Sequence, residues 1–189
     1  MKMSAIFLGL FLAASVHAME LPQPPPDLSW KEVPEINAAF LVPNGWHFKL
    51  LDQWYFKLRN EGNKLAFFIT QEDIDKEGQF YTGLTVNVFR GGVPASTVVE
   101  YAKSYIDQVA ADNYADEIWT QQFGSLQGFG CRFKATNLTG SPIVRTLMAA
   151  NPKTGTRYIF IFEAPDANWT DAWAKGEKIM NSLIIDENI

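Results

Sequence analysis

The sequence predicts an α+β fold in which a largely antiparallel sheet carries a helix inserted midway and another at the end. Three observations carry that reading. First, Arg157-Tyr-Ile-Phe-Ile-Phe-Glu163 is apolar on both faces, with Tyr158, Phe160 and Phe162 on one side and Ile159 and Ile161 on the other. A strand of that kind needs a cover on both sides. Second, the segment after it sets Trp169, Ala172, Trp173, Gly176, Ile179, Met180, Leu183 and Ile184 at spacings of three and four, the stripe of an amphipathic helix. Third, short apolar runs separated by turn residues fill most of the remaining chain. Aromatic residues are 14% of the total, which suits a sheet-rich core.

The first eighteen residues stand outside that fold. Lys2 is a positive n-region, Ala5 to Ala14 is an apolar run, and Val16-His-Ala18 offers small residues at the two positions a signal peptidase reads. The run is too short for a bilayer of roughly 30 Å. Cleavage is expected near Ala18-Met19, delivering a periplasmic or secreted protein. The residue after that point is Met19 and not a cysteine that could take a lipid, so no membrane anchor is expected. Of the 16 basic residues only Lys2 leaves, so 15 face 21 acidic ones and the net charge is −6. That balance argues against nonspecific binding to nucleic acid or anionic membranes.

Residues 19–36 read as a proline-rich arm, with Pro22, Pro24, Pro25, Pro26 and Pro34 favouring an extended, semi-rigid chain. Trp30 stands alone in it as a docking candidate. The domain is expected over residues 37–189. Residues 37–42 form a first strand, and Pro43-Asn44-Gly45 is a turn. Trp46–Leu51, Trp54–Leu58 and Lys64–Thr70 are strands, the last two a hairpin around Asn60–Asn63 with Leu65, Phe67 and Ile69 on one face. An acidic loop spans Gln71–Gln79, and Thr82–Arg90 is a strand with Leu84, Val86 and Val88 inward, ended by Gly91-Gly92. Thr97 and Glu100 have capping-box spacing at the head of a helix whose stripe is Val98, Ala102, Tyr105, Ile106 and Val109. Ala115–Phe123 and Cys131–Leu138 read as strands around a Gly124–Gly130 loop, and Ile143–Ala150 as another. Asn151–Gly155 turns the chain into the doubly apolar strand, and Asp166 or Asn168 can cap the last helix.

Phe40-Leu-Val-Pro-Asn-Gly-Trp46 resembles the opening signature of PsbP-like domains: a strand, then a proline, a glycine and a tryptophan. The helix after a glycine-containing break fits the same layout. So do the Gly155-Thr156-Arg157-Tyr158 strand and the helix carrying Ile179-Met-Asn-Ser-Leu183. The resemblance covers roughly Asn37 to Ile185. It implies an α/β/α sandwich whose largely antiparallel sheet of six to seven strands is covered by helices on both faces. The family includes photosystem accessory proteins, a nuclear-import factor that binds a small GTPase, and exported bacterial proteins, mostly noncatalytic binding or assembly modules. Only structural positions match, so no set of functional residues transfers.

Several chemistries lack their residues. With His17 in the leader, His47 is the one histidine left, so a site with two His ligands cannot form in one chain, and a serine triad would depend on His47 without a nucleophile elbow. His47 reads as an ordinary strand residue. Gly124-Ser-Leu-Gln-Gly-Phe-Gly130 has the wrong order for a dinucleotide loop and no following helix, and reads as a hairpin connection. Cys131, the single cysteine, reads as a small buried hydrophobe.

The candidates that remain are few. Asp73, Asp75 and Glu77, followed by Gly78, reproduce the first half of a calcium loop, but Leu84 occupies the position of its bidentate glutamate. A solvated acidic loop is the plainer reading, with calcium the only cofactor considered. Trp169 and Trp173 read as helix core, and Trp46 as structural. Trp54, Tyr55 and Trp119 remain as aromatic candidates for a recognition surface, beside Trp30. The expected function is therefore a noncatalytic, monomeric binding or assembly module that contacts another envelope or secreted protein through the arm and the acidic loop. The alternatives are a periplasmic small-ligand or calcium-binding protein and, more weakly, a carboxylate-based hydrolase.

Overall fold

The computed structural model describes residues 21–51, 64–136 and 141–188. The chain opens with β1 (Leu28–Val33), β2 (Ala38–Pro43), β3 (His47–Leu50) and β4 (Lys64–Thr70). A one-turn helix α1 (Ile74–Glu77) leads to β5 (Gly83–Phe89), followed by helix α2 (Val98–Asp112). Next come β6 (Glu117–Phe123), β7 (Leu126–Lys134), β8 (Ile143–Ala150) and β9 (Arg157–Ala164). Helix α3 (Trp169–Asn181) and the short β10 (Ile184–Ile185) close the fold. Seven strands join in the order β3-β4-β5-β9-β8-β7-β6, and a second sheet runs β1-β2-β10. All of these pairings are antiparallel. This is an α+β sandwich, as the sequence predicts.

β9 sits at the centre of the large sheet, and its two apolar faces enter two separate cores. Tyr158, Phe160 and Phe162 join Phe67, Ile69, Leu84, Val86 and Val88 beneath the small sheet and α3. Ile159 joins Cys131, Met148, Val144 and the α2 residues Val98, Ala102 and Ile106 on the other side. Thus one face is covered by a helix alone, and the other by a helix together with the small sheet. α3 comes down on β9 at Gly176, where an added Cβ would lie 2.5 Å from the Phe162 ring. The Pro43-Asn44-Gly45 turn closes as read, with Gly45 at φ +83° and the Trp46 N–H donating to the Pro43 carbonyl at 2.9 Å, which drops Trp46 into the first core.

The structure differs from the sequence reading in several places. Residues 28–33, read as part of an arm, are β1, paired residue for residue with β2 from Leu28↔Pro43 to Val33↔Ala38. Leu28 and Val33 are buried at the two ends of this strand, which begins just after the prolines stop at Pro26. Gly128 and Gly130, read as loop, lie inside β7, so the connection shrinks to Gly124-Ser125. Thr97 precedes α2 but caps nothing with its side chain, and its hydroxyl donates to the Pro94 carbonyl. Neither Asp166 nor Asn168 caps α3 by a side chain; both belong to a short 3-10 turn before it. Leu183 and Ile184 lie past the end of α3, where Ile184 pairs with Ala39 of β2. The expected Trp54–Leu58 strand and Asn60–Asn63 turn, with Trp54 and Tyr55, fall outside the described residues.

Candidate functional site

The notable polar feature of the fold is a row of residues across four strands. Strand register places Glu117 of β6 beside Arg132 of β7, Arg132 beside Arg145 of β8, and Arg145 beside Phe162 of β9. Two arginines directly opposite each other are unfavourable by themselves. Carboxylates resolve the conflict. Glu117 reaches over β7 and accepts a fork from Arg145, at 3.1 Å from Nη1 and 3.2 Å from Nη2, while lying 3.7 Å from Arg132 Nη1. Asp116 accepts a second fork from Arg132 at 2.9 and 3.0 Å. That pairing holds the Asp116 carboxyl below its usual range.

Arg145 is also sandwiched. Its guanidinium lies 4.0 Å from the Trp119 ring centre and 4.5 Å from that of Trp173. Trp169 stacks on Trp173 at 5.7 Å with planes 1° apart. Behind Trp119 lies Gly130, its partner in register, where any Cβ would overlap the indole. The glycine in the middle of β7 therefore has a local reason: it leaves the indole room to lie flat on the strand. Gly130, Trp119, Arg145, Trp173 and Trp169 form one continuous stack from sheet to helix. Arg145 Nε is buried without a hydrogen-bond partner, so the cation is held by the two rings and the Glu117 fork.

Beside this stack is an open cleft of about 240 Å³ lined by Glu117, Trp119, Gln121, Arg145, Trp173, Glu177 and Asn181, with Phe162 and Met180 beneath. β6 contributes alternate residues 117, 119 and 121, which share one face of a strand. α3 contributes 173, 177, 180 and 181, which share one face of a helix. The Gln121 amide reaches Asn181 across the gap at 3.5 Å. Glu177 is exposed and has no ion-pair partner among the described residues. The cleft lining holds no Ser, Cys or His, and its one arginine is already engaged. What it presents is aromatic edges, two amides and an acid around a fixed cation.

Of the other sequence candidates, Trp30 lies in β1, and its indole N–H donates to the Pro22 carbonyl at 2.7 Å, folding the proline stretch back on the sheet. Asp73, Asp75 and Glu77 lie on and just before α1. The Asp73 carboxylate accepts the Asp75 N–H at the helix head and pairs with Lys76 at 2.9 Å, which lowers its pKa; Asp75 pairs with Lys49. Among the described residues no group of three or more His, Cys, Asp or Glu side chains is placed to hold a metal ion. His47 is exposed on β3. Cys131 is fully buried under α2, and burial pushes its thiol up to about 11. Trp119 was visible in the sequence. Glu117, Arg145 and Trp173 were not, since nothing local links β6, β8 and α3; the one available signal was a glycine-rich stretch near a tryptophan.

No known family model matches the chain, and no curated protein sequence matches it. Solved structures do. The chain is similar to cyanobacterial PsbP (CyanoP) from Synechocystis, with a TM-score of 0.51, 9% identity, and coverage of 86% of this chain and 94% of that one. It also matches the Ran-binding protein Mog1p from Saccharomyces cerevisiae at a TM-score of 0.44 and 12% identity, over 84% of this chain and 95% of that one. A third match is LpqN of Mycobacterium tuberculosis, described as involved in cell envelope biogenesis, at 0.44 and 10% identity over 79% and 83%. Among the described residues no helix is long and apolar enough to cross a membrane. The sandwich of a seven-stranded antiparallel sheet under helices, superposed along most of its length on CyanoP, is the PsbP-like fold that the Pro43-Asn44-Gly45-Trp46 signature implies.

Proposed function

We propose that this is an exported, noncatalytic binding module that acts as an accessory or assembly factor by gripping another envelope or secreted protein. The observation that supports the reading is the cleft between β6 and α3. Trp and Arg dominate the residues that carry binding energy in protein interfaces, and here Trp119, Arg145 and Trp173 are held rigid at the surface with two amides and an acid around them. A rigid stack loses little side-chain entropy when a partner arrives. The export reading rests on the leader of Lys2, Ala5–Ala14 and Ala18.

The test is cross-linked capture from native envelope extract by tagged residues 19–189, with partners identified by mass spectrometry. One dominant protein partner is expected, lost when the rim is reversed by Glu177→Arg with Asn181→Arg. Failure to enrich any partner above the tag control, or capture indifferent to those two changes, would sink the proposal.

The ligand-carrier alternative is less well supported by the same cleft. Its volume of about 240 Å³ is below the roughly 300–1,000 Å³ of small-molecule pockets. Calcium at Asp73, Asp75 and Glu77 would have to displace Lys49 and Lys76. Calorimetry at millimolar calcium is expected to show no binding heat.

A further inference from the structure

β6 is the last strand of the large sheet, and no described residue pairs with its outer side. Natural edge strands are usually short, bulged, or guarded by lysine or proline. β6 has none of these guards. It is seven residues long, Glu-Ile-Trp-Thr-Gln-Gln-Phe, with no Lys, Arg or Pro. Its residues on the α2 side of the sheet, Ile118, Thr120 and Gln122, are all exposed, Ile118 by 62%. Its only charge, Glu117, is already taken by Arg145.

We propose that β6 is a self-association edge, on which a second copy of this chain adds its own β6 antiparallel about a twofold axis at Thr120, the midpoint of the strand. The sequence of the strand is what singles out a second copy as occupant. In that register Glu117 faces Phe123, Ile118 faces Gln122, Trp119 faces Gln121, and Thr120 faces its own copy. No charge meets a like charge, because the two Glu117 side chains lie at opposite ends of the ribbon. The central Thr–Thr pair is a favourable cross-strand contact. Residues 117, 119 and 121 of both copies fall on one face of the joined sheet. The two Trp119 backbone positions become diagonal neighbours at roughly 7–8 Å, and the two clefts open on the same face of the joined sheet. This goes beyond the partner-binding reading and stands without it, since it uses the strand edge and not the cleft.

Analytical ultracentrifugation of residues 19–189 over a concentration series tests it. The wild type is expected to dimerise reversibly. Thr120→Lys and Thr120→Glu each place like charges face to face at the axis, and each is expected to weaken the dimer at least tenfold while circular dichroism stays unchanged. Mixing the two variants is expected to restore it, which also shows that both are folded. Ile118→Lys, facing Gln122, is expected to weaken it less. A wild type that stays monomeric up to about 1 mM, the weak end of measurable affinity, would overturn the proposal. So would a dimer indifferent to Thr120→Lys, or a mixture that fails to reassociate.

Discussion

β7 and β8 show two chemistries on their two faces. Under α2 they present Cys131, Phe133, Val144, Met148 and Ala150 to Val98, Ala102, Ile106 and Ala110, an apolar and closely packed core. On the reverse side the same strands carry Arg132, paired with Asp116, and Arg145, stacked with tryptophans beside an open cleft. The difference lies in where each helix sits. α2 lies directly over β7 and β8, while α3 is drawn to β2, β9 and β5, with Gly176 seated on Phe162. The reverse face of β6–β8 is covered only in part, with Leu126, Leu147 and Ala149 in the first core and Arg145 reached by Trp173. Arg145 and its rings fill part of the space, and the remainder is the cleft. The cleft is what an off-centre cover leaves open.

The largest effect is expected from opening the closed face. Ile106→Ala removes a fully buried side chain from beneath α2 and should cost about 2–5 kcal/mol in chemical denaturation. A smaller loss is expected on the stacked face. Arg145→Ala removes two cation–π contacts and the partner of Glu117, for about 1–3 kcal/mol. Arg145→Lys should recover only part of that, since an ammonium cannot stack flat or fork. If Arg145→Ala denatures like the wild type, the stack is not what joins sheet to helix.

Gly130→Ala separates the two faces more finely. The new methyl takes the place of the Trp119 indole, and because that ring is half-exposed it can swing into the cleft. A red-shifted tryptophan emission with a loss of about 1–3 kcal/mol is expected, and the core under α2 should be untouched.

The faces also answer pH from opposite ends. Asp116 is held low by Arg132, Asp27 by Lys178, and Asp186 by Asn37. A lowered carboxylate stabilises the fold above its unfolded pKa, and that contribution is lost as pH falls through the folded value. Melting temperature should therefore hold from neutrality toward pH 4, near the usual Asp value, and drop below it. Under α2 the sign reverses. The Cys131 thiol, pushed up to about 11, stays neutral in the folded chain after the unfolded one has begun to ionise. Stability is expected to fall from about pH 8.5 upward, less steeply in Cys131→Ala, and thiol reagents should label Cys131 only on unfolding. The smallest effect belongs to the cleft rim, where Glu177→Arg should change stability by no more than about 0.5 kcal/mol.

Much of this fold was legible in local pattern. Ile143–Ala150 and Lys64–Thr70 are strands over the residues read as strands, and the stripe of α3 is buried at Ala172, Gly176, Ile179 and Met180. Alternation and helical spacing are properties of neighbours in the chain, so the chain reveals them. The misreadings share a different cause. Gly128 and Gly130 look like a loop because glycine is a turn residue, and only Trp119 lying across Gly130 explains why β7 keeps it. Thr97 has the spacing of a cap, but its hydroxyl finds Pro94 first.

By itself the sequence determined strands such as Lys64–Thr70, Ile143–Ala150 and Arg157–Glu163, their apolar residues, the acidic balance and the small number of histidines. Each follows from residue type and short-range spacing. Only the tertiary structure decided that Glu117, Arg132, Arg145 and Phe162 form one row, that Trp173 of α3 closes on Trp119 of β6, and that α3 sits off-centre enough to leave a cleft. Those facts depend on the register between strands and on where a helix comes to rest. Register and helix position are set by the sum of many long-range contacts, and no local stretch of sequence carries that sum.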